Sequence, residues 1–348
     1  MQKLDAPWRI HILAVKTMKY LLIYLAVFAA AAASASSAYE ASQPERVFSH
    51  TVPFAHASTI AEAANGDLLC AFFGGEHEKS PNTAIYLAIK KAGSNAWSRP
   101  IEIANALGDD GKRFAAWNPV LYVERSGKIH LYYKLGDSPR TWEGFVKYSA
   151  DNGKTWSEQI KLGKDLVGPA KNKPVEFRGK LVCPSSREFH SSFGWTSRFE
   201  IFDGAKWRVK SVPFSVVFGL IQPALAVQKD GSLRAFMRSR SGKIYTSDSK
   251  DALSWSFPQA MPIDNPNSGL DAQTLADGSI ALVCNPTRKG RCKLSVFISG
   301  DAKNWSEIYT QNSPHNLSYP SIIQTSDGAI HCVYSDHLGI SHITLRKK

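Results

Sequence analysis

Residues 230–240 read DGSLRAFMRSR, an Asp-Gly turn followed by a strand-like run in which apolar positions alternate. The pattern recurs at 65–75 (NGDLLCAFFGG), 126–136 (SGKIHLYYKLG), 178–188 (RGKLVCPSSRE), 277–287 (DGSIALVCNPT) and 327–336 (DGAIHCVYSD). The glycines Gly66, Gly127, Gly179, Gly231, Gly278 and Gly328 follow one another at intervals of 61, 52, 52, 47 and 50 residues. A short apolar strand precedes each: HASTIAEA, WNPVLYVE, NKPVEF, IQPALAVQ, GLDAQTLA and YPSIIQTS. The first five units continue through another strand to Trp97, Trp156, Trp207, Trp255 and Trp305. One unit is therefore strand, Gly turn, strand, loop, strand, polar turn, Trp, strand. Four strands per unit at this period predict an all-β, six-bladed β-propeller. A lone blade cannot bury both of its faces, so blades must stack around an axis. The sixth unit ends at GISHITLRKK without its fourth strand. ERVFSHTVP, 45–53, has no other partner and is expected to supply that strand, which removes an exposed edge.

The clearest polar turn is SADNGKTW, 149–156, with the pattern S-x-D-x-G-x-x-W. Asp151 can hydrogen-bond its own turn, Gly153 can take positive φ, and Trp156 can wedge against the sheet. SGDAKNW (299–305) reads as a shortened version and SDSKDALSW (247–255) as a lengthened one. These turns stabilise the fold and carry no chemistry.

The first forty residues differ in kind. From Met18, a basic Lys19 leads an apolar segment, Tyr20 to about Ala33, and then small residues with ASA (33–35) and SSA (36–38) as cleavage sites. This reads as a signal peptide with Met18 as the start, giving an extension over 1–38, a propeller over 39–348, and a secreted or periplasmic protein. An uncleaved anchor is the alternative, although the apolar core is short for a span of ~20 residues. Cys70, Cys183 and Cys332 occupy matching places in the repeats and read as buried small hydrophobes. Cys284 and Cys292 are close enough for a hairpin disulfide, an alternative left open. The formal net charge of +12 favours anionic partners. The basic residues are scattered and no nucleic-acid-binding motif occurs, so an acidic glycan fits better than nucleic acid. No cofactor motif occurs, and the HEK run, 77–79, has no second ligand pair at metal-binding spacing.

In a propeller the first strand of each blade lines the axis and starts on the face where the second strand ends. Counting back from the repeat glycines gives His56, Asn118, Gln222, Gly269 and Tyr319, with Lys173 in the third unit. Counting forward gives Phe73, Lys134, Ser186, Arg238, Asn285 and Ser335. The loops beyond add Glu76, His77, Glu78, Glu188, Arg240, Arg288 and Arg291. Such a cationic mouth suits an anionic sugar held by charge-assisted hydrogen bonds.

Polar turns of this type in a six-bladed propeller resemble the Asp-boxes of the sialidases (neuraminidases). The resemblance covers about 45–348 and is nearest to exported bacterial proteins labelled predicted neuraminidases. Sialidases use a tyrosine nucleophile, because the reacting carbon bears a carboxylate that repels an anionic one. LSYPSII resembles the segment that carries it, which makes Tyr319 the matching residue. The resemblance implies that Arg238, with Arg288 or Arg291, binds the substrate carboxylate. His56 stands where the family has its first arginine, and Gln222 where it has the glutamate that activates the tyrosine. Asn82 lies near the acid/base aspartate position, with Glu76 and Glu78 upstream.

The expectation is a hydrolase of terminal acidic sugars. Tyr319 attacks, Glu78 or Glu76 protonates the leaving oxygen, and Arg238, Arg288 or Arg291, Lys134 and Lys173 bind, beside Gln222 and Asn118. Two rivals remain: a polysaccharide lyase using His56 and Tyr319 on a uronate, and a glycan-binding propeller without catalysis.

Overall fold

The computed structural model describes residues 38–48, 52–105, 110–189 and 194–348. The leader predicted over 1–38 lies, but for Ala38, outside the described residues. Tyr39–Lys348 form one compact unit. It is built from six antiparallel sheets, each following the strand order of its unit. Blade I is Phe54–Glu62, Leu68–Gly75, Ala84–Lys90 and Ile101–Ala104. Blade II is Ala116–Val123, Ile129–Leu135, Glu143–Ser149 and Ile160–Lys161. Blade III is Val175–Phe177, Lys180–Glu188, Trp195–Phe202 and Trp207–Ser211. Blade IV is Ile221–Val227, Leu233–Arg238, Lys243–Ser249 and Gln259–Asp264. Blade V is Asp271–Thr274, Ile280–Cys284, Lys293–Ser299 and Ser306–Asn312. Blade VI is Ser318–Gln324, Ile330–Asp336 and Gly339–Lys347, completed by N-terminal strands.

The N-terminal closure forms in two pieces, beginning at Tyr39, rather than as one strand within 45–53. Tyr39–Ala41 pairs with Leu345–Lys347, and Glu45–Arg46 with Ser341–His342. From Ala41 to Glu45 is four residues, whereas from Leu345 back to His342 is three, so one extra residue bulges between the pieces. Pro44 sits in this break, where its missing N–H costs no ladder bond. Glu45 then fastens three elements. Its Oε1 accepts from Lys90 Nζ at 2.6 Å, Trp97 Nε1 at 3.2 Å and His342 Nδ1 at 2.6 Å. Burial alone would raise this carboxyl, but the His342 and Lys90 hydrogen bonds hold it at about 2.

Stacking buries both faces of the second strands, and Ile129–Leu135 is buried at every position. The polar turns anchor neighbouring blades. Asp151 Oδ1 accepts from the N–H groups of Lys154 and Thr155 at 3.0 and 2.9 Å, and Gly153 N donates to Ser149 Oγ at 2.9 Å. Gly153 has φ of 84°, and a Cβ there would lie 2.5 Å from Leu69 of blade I. The 247–255 turn is corrected: its capping serine is Ser249, so Ser249–Trp255 has the same spacing as Ser299–Trp305. In both, an alanine (Ala252 at φ 64°, Ala302 at φ 56°) takes the left-handed position. Trp255 stacks on Phe199 of the preceding blade at 3.9 Å, and Trp305 meets Phe236 edge-on at 5.7 Å. All five cysteines are free; Cys284 is buried and Cys292 exposed, so the hairpin disulfide does not form.

Candidate functional site

Four of the innermost strands open on the same device. Blades I, II, IV and VI each carry a bulge near the start of the first strand. At each bulge one residue is left-handed: Ala57 at φ 52°, Asn118 at 37°, Gln222 at 51° and Tyr319 at 51°. A non-glycine residue held there stores about 1–3 kcal/mol, a strain found where structure re-aims a side chain. Asn118, Gln222 and Tyr319 each precede a proline, whose missing N–H suits the broken ladder.

The bulges of blades IV and VI bring Gln222 and Tyr319 together beside Arg238, at the end of blade IV's second strand. The Tyr319 hydroxyl oxygen accepts from Arg238 Nη1 at 3.2 Å and from Gln222 Nε2 at 3.4 Å. Arg238 Nη1 also donates to Gln222 Oε1 at 3.1 Å, and its Nε to Asn267 Oδ1 at 2.7 Å. Both neighbours of the phenol oxygen donate to it, so its own proton is left to point elsewhere. Arg291 reaches the same place, donating to the Asn267 carbonyl at 3.1 Å and to Ser318 Oγ at 3.5 Å. Burial, and then repulsion by Arg238, lower its affinity for the proton. Glu78 and Tyr319 act on it in the opposite sense, which puts Glu78 within electrostatic reach of the pocket.

His56 packs its ring against Tyr319 at 4.5 Å and against Phe73 edge-on at 5.8 Å. Burial, with the charges of Arg291, Lys171 and Arg238, lowers its pKa to about 4. It is therefore a neutral base at pH 7. Trp195 of blade III lies beside these cations, with the Arg238 and Arg240 guanidinium carbons 5.4 and 4.0 Å from its ring centre.

Several expected ligand-binding residues do other work. Lys134 is fully buried, and its Nζ donates to the carbonyls of Asn118, at 3.2 Å, and Pro169. Lys173 Nζ donates to Asp271 Oδ2 at 2.8 Å and to the carbonyls of Ala272 and Ile322 at 3.2 and 2.7 Å. An ammonium has three donors, so Lys173 has none to offer a substrate. Both lysines are corrected from carboxylate binders to struts. Arg288 is likewise corrected: its side chain is 87% exposed and lies along Asp264 at 3.4 Å, which leaves Arg291 as the blade V arginine in the site. The Asn118 side chain holds the Ala170 carbonyl at 3.1 Å. Glu76 and Glu78 are exposed on the loop after blade I's second strand, where Asn82 Oδ1 accepts from Glu76 N at 3.3 Å and Ser80 Oγ at 2.6 Å.

Sequence reasoning missed Lys171, Asn172, Asn267 and Trp195. For the first two, the signal was the polar run KNKP (171–174) directly before the inner strand Val175–Phe177. A cleft of about 900 Å³ between blades IV and V is lined by Asp230, Arg234, Asp248, Trp255 and Asp301. It lies at the opposite ends of the strands from Tyr319, among the polar turns. Its Arg234 is paired with Asp248 at 2.7 Å, and Asp251 and Asp301 cap their own turns, so it is not taken as the site.

The BNR repeat-like domain family matches residues 66–332. No curated protein sequence matches. Among solved structures, a Dyadobacter fermentans protein of unknown function superposes with a TM-score of 0.75 at 14% identity, covering 89% of this chain and 100% of that one. The NanB sialidase of Streptococcus pneumoniae gives 0.68 at 13% identity, over 87% and 70%. An α-L-arabinanase of Penicillium chrysogenum, complexed with arabinobiose, gives 0.66 at 16% identity, over 88% and 98%. At such identities the likeness is one of fold. With the family match spanning most of the chain, the protein belongs to the BNR repeat-like domain family and is built on the six-bladed propeller that sialidases share.

Proposed function

We propose that the protein is an exported glycoside hydrolase acting on terminal acidic sugars at the Tyr319 pocket. The observation that carries this reading is the donor set. Arg238 and the Gln222 amide donate to the Tyr319 oxygen, Arg291 donates to the Asn267 carbonyl and to Ser318 beside them, and the phenol keeps its own proton to offer. A carboxylate offers only acceptors and is the group such a set recognises. Similarity to sialidase and arabinanase propellers supports the glycosidase class.

In this reading Arg238 and Arg291 hold the sugar carboxylate and set the anomeric carbon against the Tyr319 oxygen. The phenol attacks as the bond to the leaving oxygen breaks. Glu78, or Glu76, supplies the proton to that oxygen. Gln222 cannot accept the phenol proton, and neutral His56 against the same ring takes over as base. Water then cleaves the bond from the sugar to Tyr319. The hydrogen bonds from Arg238 and Gln222 stabilise negative charge on the phenol oxygen without needing a carboxylate beside it.

A second reading, elimination from a uronate, is favoured by one observation: a neutral histidine and a phenol side by side, with no carboxylate between them. The base would remove the proton next to the carboxylate, and Tyr319 would protonate the departing oxygen.

Incubation with sialylated and uronate-ended oligosaccharides decides. Hydrolysis adds the mass of water across the cleaved bond. Elimination adds none and leaves an ultraviolet-absorbing unsaturated sugar. Tyr319→Phe should abolish turnover while leaving affinity nearly intact, since the lost oxygen acts in the transition state. Binding without any product across the panel would sink both catalytic readings.

A further inference from the structure

Blade III does not build its axial strand as blades I, II, IV and VI do. Its innermost strand is only Val175–Phe177, and the residues before it, Lys171-Asn172-Lys173, cross toward blades IV, V and VI. Lys171 and Asn172 are 4% and 2% exposed. Lys171 Nζ donates to the carbonyl of Pro320 at 2.6 Å, the carbonyl of Leu270 at 3.2 Å and Asn172 Oδ1 at 2.8 Å. Asn172 Nδ2 donates to the carbonyls of Gln222 and Pro223 at 3.1 and 3.0 Å. Apart from that of Leu270 in blade V, these carbonyls belong to the bulges that aim Tyr319 and Gln222.

We propose that Lys171 and Asn172 are positioning residues that set the two reactive-site side chains from beneath, Lys171 for Tyr319 and Asn172 for Gln222. The proposal rests on the Tyr319 pocket being the functional site. A bulge takes a peptide out of the sheet ladder and leaves its carbonyl without a strand partner, and a buried carbonyl without a donor is costly. Here the replacement donor comes from a different blade, so the strained left-handed residues are fixed by a contact that does not depend on their own sheet.

Gly269 gives independent support. It occupies the blade V position equivalent to Gln222 and Tyr319, yet carries no side chain. A Cβ built there would lie 3.1 Å from Lys171 Cε and 3.5 Å from Tyr319 Cγ. Blade V thus leaves room for the lysine stem to pass under the tyrosine ring. Lys173, one residue beyond Asn172, bonds Asp271, Ala272 and Ile322, none of which is a bulge residue. It serves as the internal control.

The test is tyrosine ¹³Cζ NMR, with Tyr319 assigned through Tyr319→Phe, together with crystal structures of Lys171→Met, Asn172→Ala and Lys173→Met. Lys171→Met should shift the Tyr319 resonance and break its contact with Arg238, and Lys171→Arg should restore much of both. Asn172→Ala should displace the Gln222 amide and leave the Tyr319–Arg238 contact. Lys173→Met should lower thermal stability and leave both side chains in place. An unmoved Tyr319 in Lys171→Met, or equal shifts in all three variants, overturns the proposal. If Lys171→Met fails to fold, Lys171→Gln keeps a polar amide but one bond too short to hold the Pro320 carbonyl at its present distance, so it too should shift the Tyr319 resonance, and an unchanged resonance there is equally contradictory. None of these readouts needs a substrate, so they separate a failure of the positioning role from a failure of the acidic-sugar reading. On any glycan of the panel that is turned over, Lys171→Met should lower kcat about a hundredfold with KM nearly unchanged, the cost of a small misplacement.

Discussion

Two sets of cations crowd the axis, and they differ in what their protons do. Lys134, Lys171 and Lys173 are enclosed and spend their donors on backbone carbonyls and Asp271. Arg238 and Arg291 stand at the mouth, and their described hydrogen bonds leave guanidinium donors over: Arg238 uses Nε and Nη1, with Nη2 still available. Burial lowers the pKa of Lys134 to about 7 and that of Lys171 to about 8, as befits ammonium groups removed from water. The comparison teaches that a count of basic residues around a propeller mouth overstates its affinity for anions. What matters is which donors the fold has already consumed.

The largest effect that would break this comparison concerns the struts. Lys173→Met removes the charged partner of Asp271, which is 1% exposed, and leaves it only neutral donors. Stranding a buried carboxylate costs about 3 kcal/mol or more, so denaturant unfolding should show a loss of that size. Affinity for an acidic sugar, measured on the folded fraction, should hardly change.

The arginines should behave in the opposite way. Arg238→Ala should weaken binding of an acidic sugar by about 2 kcal/mol or more, by calorimetry, because a charge-assisted contact is lost in a desolvated pocket. Arg288→Ala should change neither binding nor stability beyond about 0.5 kcal/mol, since its one ion pair, with Asp264, is long and solvent-exposed on the arginine side. Equal losses in the two variants would return Arg288 to the site.

A smaller effect separates His56 from both sets. Its folded pKa of about 4 lies below the ordinary 6.5, so between these values the unfolded chain binds a proton that the folded chain refuses. Its contribution is fully present above pH 6.5 and is lost as pH falls toward 4. His56→Phe, which keeps a ring against Phe73 and Tyr319, should flatten the pH dependence of the unfolding midpoint in that window. An unchanged slope would mean the imidazole is charged in the fold.

The propeller was legible because its determinants are local and repeated: a Gly turn, alternating strands and a tryptophan in each of the first five units. Tyr319, Gln222, His56 and Arg238 meet in the structure because strand position alone carries them to one end of the axis. Lys134 and Lys173 were misread because position says where a lysine starts and not what it reaches. Lys173 spends its donors on Asp271 and Ile322, about a hundred and a hundred and fifty residues away, which no local pattern encodes. Arg288 and Arg291 are three residues apart on one loop, and only the turn they share decides which faces inward. The closing strand was expected in one piece because a spacing argument does not foresee a bulge at Pro44.

The most direct test is a crystal structure of the protein with an acidic monosaccharide bound, N-acetylneuraminate or glucuronate. The account predicts the carboxylate on Arg238 and Arg291, the sugar ring over Tyr319, and every lysine-to-carbonyl contact on the axis intact. A carboxylate seated on Lys134 or Lys173, with those contacts broken to receive it, would contradict it.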